Sequence, residues 1–516
     1  MIIESHEIEV ANALSRLSNC NPFTPERIEL EKEILGDRFD WSDSAWHKRW
    51  DIDGVPPNVG LMTEVAREWS ERIRTRLLGG AESTKDERHI YRDIVYYYVY
   101  NTYQESFHQL LEQEGFRPDA RCGADFYTEF RGRLEYYFAE ATPTLWGFVK
   151  PPHLFACFYQ LRRAFHYIYG NILGGSPLSA QLRTSVWESI FTHDMARYRR
   201  SLFQQMTDIS TLIIGPSGTG KELVAQAIGY SRYIPFAEAT LQFEEDYRSS
   251  FSPVNLSALS QTLIESELFG HKKGAFTGAA EDRVGWFGRC TERGTVFLDE
   301  IGDTNSDIQV KLLRILQSRT YQPVGDGETA TFEGKVIAAT NRDLPHEIEE
   351  GRFREDLYYR LRSDLIETPG LHAQIQEEPR QLGQFVQYIS QRVAGEKEAE
   401  SLASEAEEFI EKQLGKDYAW PGNVRELEQC VRNIMIRRTY TPPTTRNIAT
   451  AETLGDQVME GMLTTDELMS RYVSLVYAQT DNYEETGRRL GLDGRTVKTK
   501  VDKELVAKYK RIAASR

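Results

Sequence analysis

The heptapeptide Gly215-Pro216-Ser217-Gly218-Thr219-Gly220-Lys221 constrains this chain more than any other stretch, because of what stands on either side of it. The apolar run Thr211 to Ile214 precedes it, and a run with helical spacing, Glu222 to Tyr230, follows. Strand, glycine loop and helix in that order fit G-x-x-x-x-G-K. The backbone N–H groups of such a loop, with the helix N-terminus, surround phosphate oxygens, while Lys221 adds a point charge. Residues 215 to 222, Glu222 included, are therefore the expected nucleotide contacts. Glu222 stands where a Ser or Thr usually follows the lysine, so the hydroxyl ligand to magnesium has to come from elsewhere or from water.

Two further apolar strands supply the rest of a hydrolytic site. Thr295-Val296-Phe297-Leu298 delivers Asp299 and Glu300 at its C-terminal end. Asp299 is expected to bind Mg2+, directly or through water, and Glu300 to polarise the attacking water, since phosphoryl transfer needs positioning and charge compensation more than covalent chemistry. Val336 to Ala339 ends in Thr340-Asn341, suited to orient the γ-phosphate or the water. From Thr211 to about Leu365 strands alternate with helices, the pattern of a parallel sheet with crossover helices. The arginines of Gly351 to Leu361 are spaced to lie on a helix near a subunit edge, where one could reach a neighbour's phosphate; a ring is implied.

Between the two halves of that site lies Gly274-Ala275-Phe276-Thr277-Gly278-Ala279. Such a loop has no role in holding a nucleotide. A phenylalanine exposed at its tip costs apolar hydration unless it docks on a partner, and the two glycines permit a change of backbone path. Lys272 and Lys273 beside it favour an exposed loop.

The remaining chain is mostly helical in pattern. Residues 1 to 172 show i, i+3, i+4 spacing in Glu4–Leu17, Pro25–Leu35, Leu61–Leu78, Asp86–Glu114 and Pro152–Leu173, without strand alternation. Tyrosines crowd Tyr91 to Tyr103, and Trp41, Trp46 and Trp50 cluster about a turn. Such an aromatic helix reads as core, with a sensory pocket as the alternative. Gly174-Gly175-Ser176-Pro177 marks a boundary, and Thr439 to Thr445 reads as a linker. The chain thus divides into 1–172, a helical regulatory domain of unassigned type; 173–368, an α/β nucleotide-binding subdomain; 369–438, a helical lid; 439–462, a linker; and 463–516, a small helical unit.

Composition narrows the setting. The formal charge of −16 argues against general nucleic-acid coating, yet from Gly487 to Arg516 ten basic residues face three acidic ones, so DNA contact is expected at that end. Asn482 to Val501 fits a helix, a tight turn at Gly491 to Asp493 and a basic second helix; Arg495, Thr496, Lys498, Thr499 and Lys500 are placed to meet base edges or phosphates. No run approaches the roughly 18 apolar residues of a membrane span, the start lacks a secretory pattern, and five scattered cysteines fit neither a disulfide framework nor a metal site. A cytoplasmic protein without membrane contact is expected.

These motifs together resemble one family. GPSGTGKE at 215–222, ESELFGHKKGAFTGA at 265–279, TVFLDEIGD at 295–303, FREDLYYRL at 353–361 and WPGNVREL at 420–427 are similar to the AAA+ core of sigma-54-dependent transcription activators, the bacterial enhancer-binding proteins. The basic C-terminal hairpin resembles their Fis-type helix-turn-helix. The resemblance spans about Ile172 to Arg438 and implies a set of roles. Phe276 and Thr277 would contact sigma-54, Asn255 would couple to Glu300 as a nucleotide-state switch, and Arg354 and Arg360 would act as arginine fingers. Thr340-Asn341 would be the first sensor and Arg425 the second. It implies ATP with Mg2+, a ring oligomer, hexameric in this reading, upstream activating DNA, and the sigma-54 RNA polymerase holoenzyme as target. The chain departs from the family at Pro216, at Ser257-Ala258-Leu259, at Gly370 to Gln374, and in residues 1 to 172, which lack receiver-, PAS- or GAF-like patterns and are left for an unknown signal. Two rival readings use the same residues: an AAA+ ATPase remodelling a different protein, and a nucleotide-gated DNA-binding repressor.

Overall fold

The computed structural model describes residues 1–43, 57–112, 124–442, 464–502, 505, 506 and 509. Trp46, Trp50, Cys122, the expected linker from residue 443 to 462, and Lys503, Glu504, Lys508, Lys510, Arg511 and Arg516 lie outside them. The chain forms two compact units, Met1–Thr439 and Tyr440–Arg516.

The first unit opens with helices α1 Ile8–Leu17, α2 Pro25–Leu35, α3 Pro57–Leu78, α4 Lys85–Glu112, α5 Ala124–Phe138, the single turn α6 Pro143–Trp146, α7 Pro151–Asn171, α8 Pro177–Phe191 and α9 Met195–Arg200. Several begin where chemistry dictates. Proline occupies the first turn of α2 and α7, where its missing N–H costs nothing, and Ser176 caps α8 by accepting from the Ser179 N–H. Sequence spacing locates α2 to the residue and α4 and α7 to within two, but α5 carries no periodicity strong enough to have been read.

A five-stranded parallel sheet follows, in the order β4–β5–β8–β1–β9, built from β1 Thr211–Ile214, β4 Phe251–Asn255, β5 Thr295–Asp299, β8 Lys335–Thr340 and β9 Asp364–Glu367. Two small antiparallel pairs stand apart from it, β2 Phe236–Ala237 with β3 Gln242–Phe243 and β6 Thr320–Tyr321 with β7 Ala330–Thr331. The helices between strands are α10 Lys221–Gly229, α11 Gln261–Phe269, the short α12 Trp286–Arg289, α13 Ser306–Ser318, α14 Leu344–Glu349 and α15 Glu355–Leu361. Period-two alternation sorts the strand residues between two cores. Leu212, Val296, Leu298, Val336 and Ala338 join α11, α13 and α15 on one face, while Ile213, Phe297, Ile337 and Ala339 join α7, α8 and α10 on the other.

The lid consists of α16 Leu371–Glu377, α17 Gln381–Ala394, α18 Glu396–Phe409 continued by a π-turn to Leu414, and α19 Asn423–Arg437. The sequence division at 172 falls at the end of α7, but residues on both sides share one core. Ala164, Ile168 and Ile172 pack with Val224 and Ile228 of α10, and Phe236, Phe243 and Tyr247 enter the core of the N-terminal helices. The second unit contains helices Thr465–Thr480, Tyr483–Leu490 and Gly494–Lys500. Among the described residues no helix is long and apolar enough to cross a membrane.

Candidate nucleotide site, loop and DNA-facing helices

The order of the sheet creates the crevice. β1 runs on through α10 toward β4 on one side while β8 leads to β9 on the other, so the chain diverges beside β1, and ligands of open α/β sheets bind beyond the strand C-termini at such a point. The glycine loop leaves β1 there. Gly215, Gly218 and Gly220 have φ of 148°, 80° and 92°, conformations that bend the loop around the end of α10. A side chain at Gly215 would meet Thr368 Oγ1 at 2.2 Å, and one at Gly218 would meet the Gly422 carbonyl oxygen at 2.3 Å, so the residue that follows strand β9 and the lid both close on the loop.

Lys221 Nζ folds back on its own loop, donating to the carbonyls of Gly215 (2.9 Å) and Pro216 (3.2 Å), and burial lowers its pKa while Glu300 and Asp299 oppose that shift. Ser217 and Thr219 frame the loop. Thr219 Oγ1 donates to the Pro216 carbonyl at 2.8 Å and lies 2.7 Å from Thr368 Oγ1. Glu222 points outward and accepts from Gln226 at 3.3 Å. Asp299 receives the Glu300 N–H at 3.0 Å, and burial holds its carboxyl above the ordinary range. Burial, then the neighbouring Asp299 charge, raises Glu300 as well. Glu300 is also held at φ 55°, a left-handed conformation costly for a residue with a side chain. Two partly buried carboxylates facing a lysine form an all-oxygen donor set, which fits a hard divalent cation. Asp299 would hold Mg2+, with Glu300 left for water.

Thr340 is fully buried, its hydroxyl taken by the Arg342 N–H at 3.1 Å, while Asn341 is exposed and its backbone N–H supports the Glu300 carboxylate. Asn255 ends the strand beside Asp299. Its amide oxygen accepts from Ser257 Oγ (2.8 Å) and the Ala258 N–H (3.1 Å), and no hydrogen bond joins it to Glu300 among the described residues. The two arginines differ. Arg354 grips Asp356 through two bonds of 3.0 and 2.6 Å, whereas Arg360 is exposed with no carboxylate partner among the described residues. Arg425 reaches Ser217 Oγ at 3.4 Å.

One contact in this region was not singled out from sequence. Asn423, within the WPGNVREL motif, donates from Nδ2 to the Ser217 carbonyl (2.9 Å) and accepts the Leu371 N–H on Oδ1 (2.9 Å), while the Val424 N–H donates to the Gly218 carbonyl (3.1 Å). Its φ of 53° is tolerable to asparagine, and the motif's Gly-Asn pair was the available signal.

The 274–279 loop is a tight excursion with a zipped base. His271 and Arg283 exchange both backbone hydrogen bonds at 2.9 Å, Lys272 N–H donates to Val324 (3.0 Å), and Gly274 N–H donates to Ala279 (2.9 Å). Gly274 and Gly278 have φ of 82° and 108° with open space where a side chain would stand, so conformation alone requires glycine there. Ala275 packs on Gly325. Thr277 is exposed, but Phe276 is half-buried, its ring edge-on to His271 at 5.0 Å. That differs from the expected exposed tip: an aromatic ring with an imidazole within reach shields its apolar surface intramolecularly.

In the second unit Asn482 caps Tyr483–Leu490, Gly491 ends it at φ 68°, and Asp493 caps the third helix through the Arg495 and Thr496 N–H groups. Arg495, Lys498 and Thr499 are exposed. Thr496 gives its hydroxyl to Asp493 (2.6 Å), and Lys500 is tied to Asp466 (2.9 Å).

Residues 192–367 match the family model described as the sigma-54 interaction domain. The chain is 36% identical over 305 residues to the transcriptional regulatory protein ZraR of Klebsiella oxytoca, covering 58% of this chain and 64% of that protein. It is 41% identical over 237 residues to the DNA-binding transcriptional regulator NtrC of Rhizobium meliloti, covering 46% and 45%, and 44% identical over 232 residues to the hydrogenase transcriptional regulatory protein HoxA of Bradyrhizobium diazoefficiens, covering 44% and 43%. The matched part thus spans less than two thirds of the length of these curated relatives. A crystal structure of NtrX from Brucella abortus covers 73% of this chain and 74% of its own at 23% identity and a TM-score of 0.38. The crevice geometry, the zipped loop and the matched segment agree: residues 192–367 form a sigma-54 interaction domain, the AAA+ segment that this chain shares with those transcriptional regulators.

Proposed function

We propose that the chain is a sigma-54-dependent transcription activator: a ring-forming ATPase that binds upstream DNA through its C-terminal helices and couples ATP hydrolysis to remodelling of the sigma-54 RNA polymerase closed complex. The observation that carries this is the position of the 274–279 loop. One continuous stretch leads to it from Asn255, beside Asp299, through α11 to the zipped base at His271. A change at the strand C-termini therefore has a short covalent path to Phe276 and Thr277.

In this reading Lys221 and the loop N–H groups hold the phosphates, Glu300 orients and deprotonates water, and Asp299 holds Mg2+. Arg360, without a carboxylate partner among the described residues, acts on the neighbouring subunit's nucleotide, while Arg354 must first leave Asp356. The Asn255 amide would exchange Ser257 for Glu300 when the nucleotide state changes. Arg495 and Lys498 are favoured for DNA because Thr496, Thr499 and Lys500 are engaged within the unit, the Thr499 hydroxyl donating to the Arg495 carbonyl at 2.9 Å.

The test compares ATP hydrolysis with transcription from a sigma-54 promoter. Thr277→Ala is expected to hydrolyse ATP and fail to activate; full activation by that variant overturns the role of the loop. Capture of sigma-54 with a transition-state nucleotide analogue separates this target from another protein, and absence of capture sinks the sigma-54 assignment.

A further inference from the structure

We propose that the N-terminal helices form a binding site for a small ring-bearing carboxylic acid, and that α7 carries its occupancy to the nucleotide-binding helix α10. The site is a cavity of about 410 Å³ walled mainly by α4 and α7 and completed by residues of α1, α2, α3, α8 and α9. That volume lies within the range of small-molecule pockets, roughly 300–1,000 Å³. Its aromatic and aliphatic walls alternate with polar and charged side chains, so the cavity suits a ligand with a flat apolar body and a polar end. Tyr96, Tyr97 and Tyr100 of α4 face Phe158, Phe165 and Tyr169 of α7, and Trp187 adds a further wall. The tyrosine-dense stretch thus does two jobs: Tyr91, Tyr98 and Tyr103 are core, Tyr96 and Tyr97 line the cavity, and Tyr100 belongs to both. Flat rings offer offset-stacked and edge-on contacts to a flat ligand.

One cation selects the charge of that ligand. Arg162 lines the cavity with its Nε shut off from solvent and without a hydrogen-bond partner, and no carboxylate pairs with its guanidinium among the described residues. The other cations there are compensated: Arg27 meets Glu31 at 2.9 Å, and Arg199 donates to Asn19 Oδ1 at 2.8 Å with Asp93 at 3.8 Å. Glu105, the remaining carboxylate of the lining, is exposed and accepts from Gln109 at 3.4 Å. A buried donor of this kind costs free energy until an acceptor arrives, and the planar guanidinium fork matches a carboxylate.

The relay follows from helical geometry. Phe158, Leu161, Arg162, Phe165, His166 and Tyr169 recur at intervals of three and four, so one face of α7 lines the cavity. Another face holds α10 at both ends. Asn171 Nδ2 donates to the Leu223 carbonyl (2.9 Å); Arg163 donates to the carbonyls of Tyr230 (2.9 Å) and Arg232 (2.7 Å); and Gln160 donates to that of Ser231 (2.8 Å). Arg163 is fully buried, over the rings of Tyr159 and Tyr247. A ligand that moves α7 must move α10, whose first residue is Lys221.

Binding is tested on the full chain without nucleotide, by calorimetry with benzoate, 2-naphthoate and indole-3-acetate, against neutral 2-naphthamide. At least one acid should bind saturably, 2-naphthoate should bind about tenfold or more tightly than the amide, and Arg162→Met should remove that preference, as expected for one charge-assisted bond. The acid-versus-amide comparison uses the unaltered chain, so the test survives if Arg162→Met fails to fold. No saturable acid binding, equal affinity for acid and amide, or an unchanged preference in a folded Arg162→Met overturns the site. The relay alone rests on the ATPase reading above: saturating acid should alter ADP affinity or ATP turnover at least twofold, and binding that alters neither overturns it. Acid binding in a chain that neither hydrolyses ATP nor captures sigma-54 would sink that reading while leaving the site standing.

Discussion

Asn423 offers the sharpest test of how the lid is held on the glycine loop. It is 6% exposed and makes two bonds of 2.9 Å, from Nδ2 to the Ser217 carbonyl and to Oδ1 from the N–H of fully buried Leu371. Asn423→Ala leaves both partners without a mate in a place water reaches poorly. Each orphaned group costs about 1–3 kcal/mol, so the pair together costs about 2–6 kcal/mol. Alanine at a φ of 53° adds about 1 kcal/mol of left-handed strain that asparagine largely escapes. Asn423→Asp separates the two ties, because it keeps the acceptor for Leu371 and tolerates the same backbone, but sets a carboxylate oxygen against the Ser217 carbonyl. Amide hydrogen exchange resolves them. In Asn423→Ala, the Leu371 and Val424 amides should each exchange roughly 10- to 100-fold faster than in the unaltered chain, the equivalent of the 1–3 kcal/mol that each tie supplies. In Asn423→Asp, Val424 should accelerate while Leu371 remains protected. Rates for both amides within twofold of the unaltered chain in the alanine variant would refute the reasoning, since the lid would then be held by apolar packing alone.

Other outcomes follow from the same geometry. Glu300→Gln should bind ATP but lose turnover by roughly 10²–10⁴-fold, the usual worth of a positioned general base, measured by phosphate release; unaltered turnover would remove Glu300 from the chemistry. Gly218→Ala places a methyl group 2.3 Å from the Gly422 carbonyl and should raise Val424 exchange without touching Asn423. Lys335 is fully buried on the carbonyl of Ile209 (2.6 Å), and burial lowers its pKa from 10.5 to about 7. Between those two values the unfolded chain binds the extra proton, so stability rises with pH across that window. The rise should vanish in Lys335→Met when the two denaturation curves are subtracted. On DNA, Arg495→Ala or Lys498→Ala should weaken binding and lower the salt slope by about one for each phosphate left unneutralised, while Lys500→Ala, already tied to Asp466, should do less in a mobility-shift titration.

What the residues determined by themselves was local. The glycine loop, the period-two strands, the proline and asparagine starts of helices and the glycine turns at 274, 278 and 491 each follow from backbone conformations and hydrogen bonds within a few positions, so their signals survive in a linear string. Asp299, Glu300 and Thr340 were legible for the same reason: a buried parallel strand delivers its next residues to the sheet's C-terminal edge, whatever lies around it.

Only tertiary structure decided the rest. Asn423 reaches Ser217 across 206 positions, and Arg163 reaches Tyr230 across 67, spacings that leave no periodic trace. Whether Phe276 is bare or shielded depended on where His271 stood, and whether a tyrosine of α4 became core or cavity wall depended on which helix packed against each face. Local propensity chooses the element; the partner on each face is chosen by the apolar area that the folded chain can bury, and that is settled only when distant segments meet.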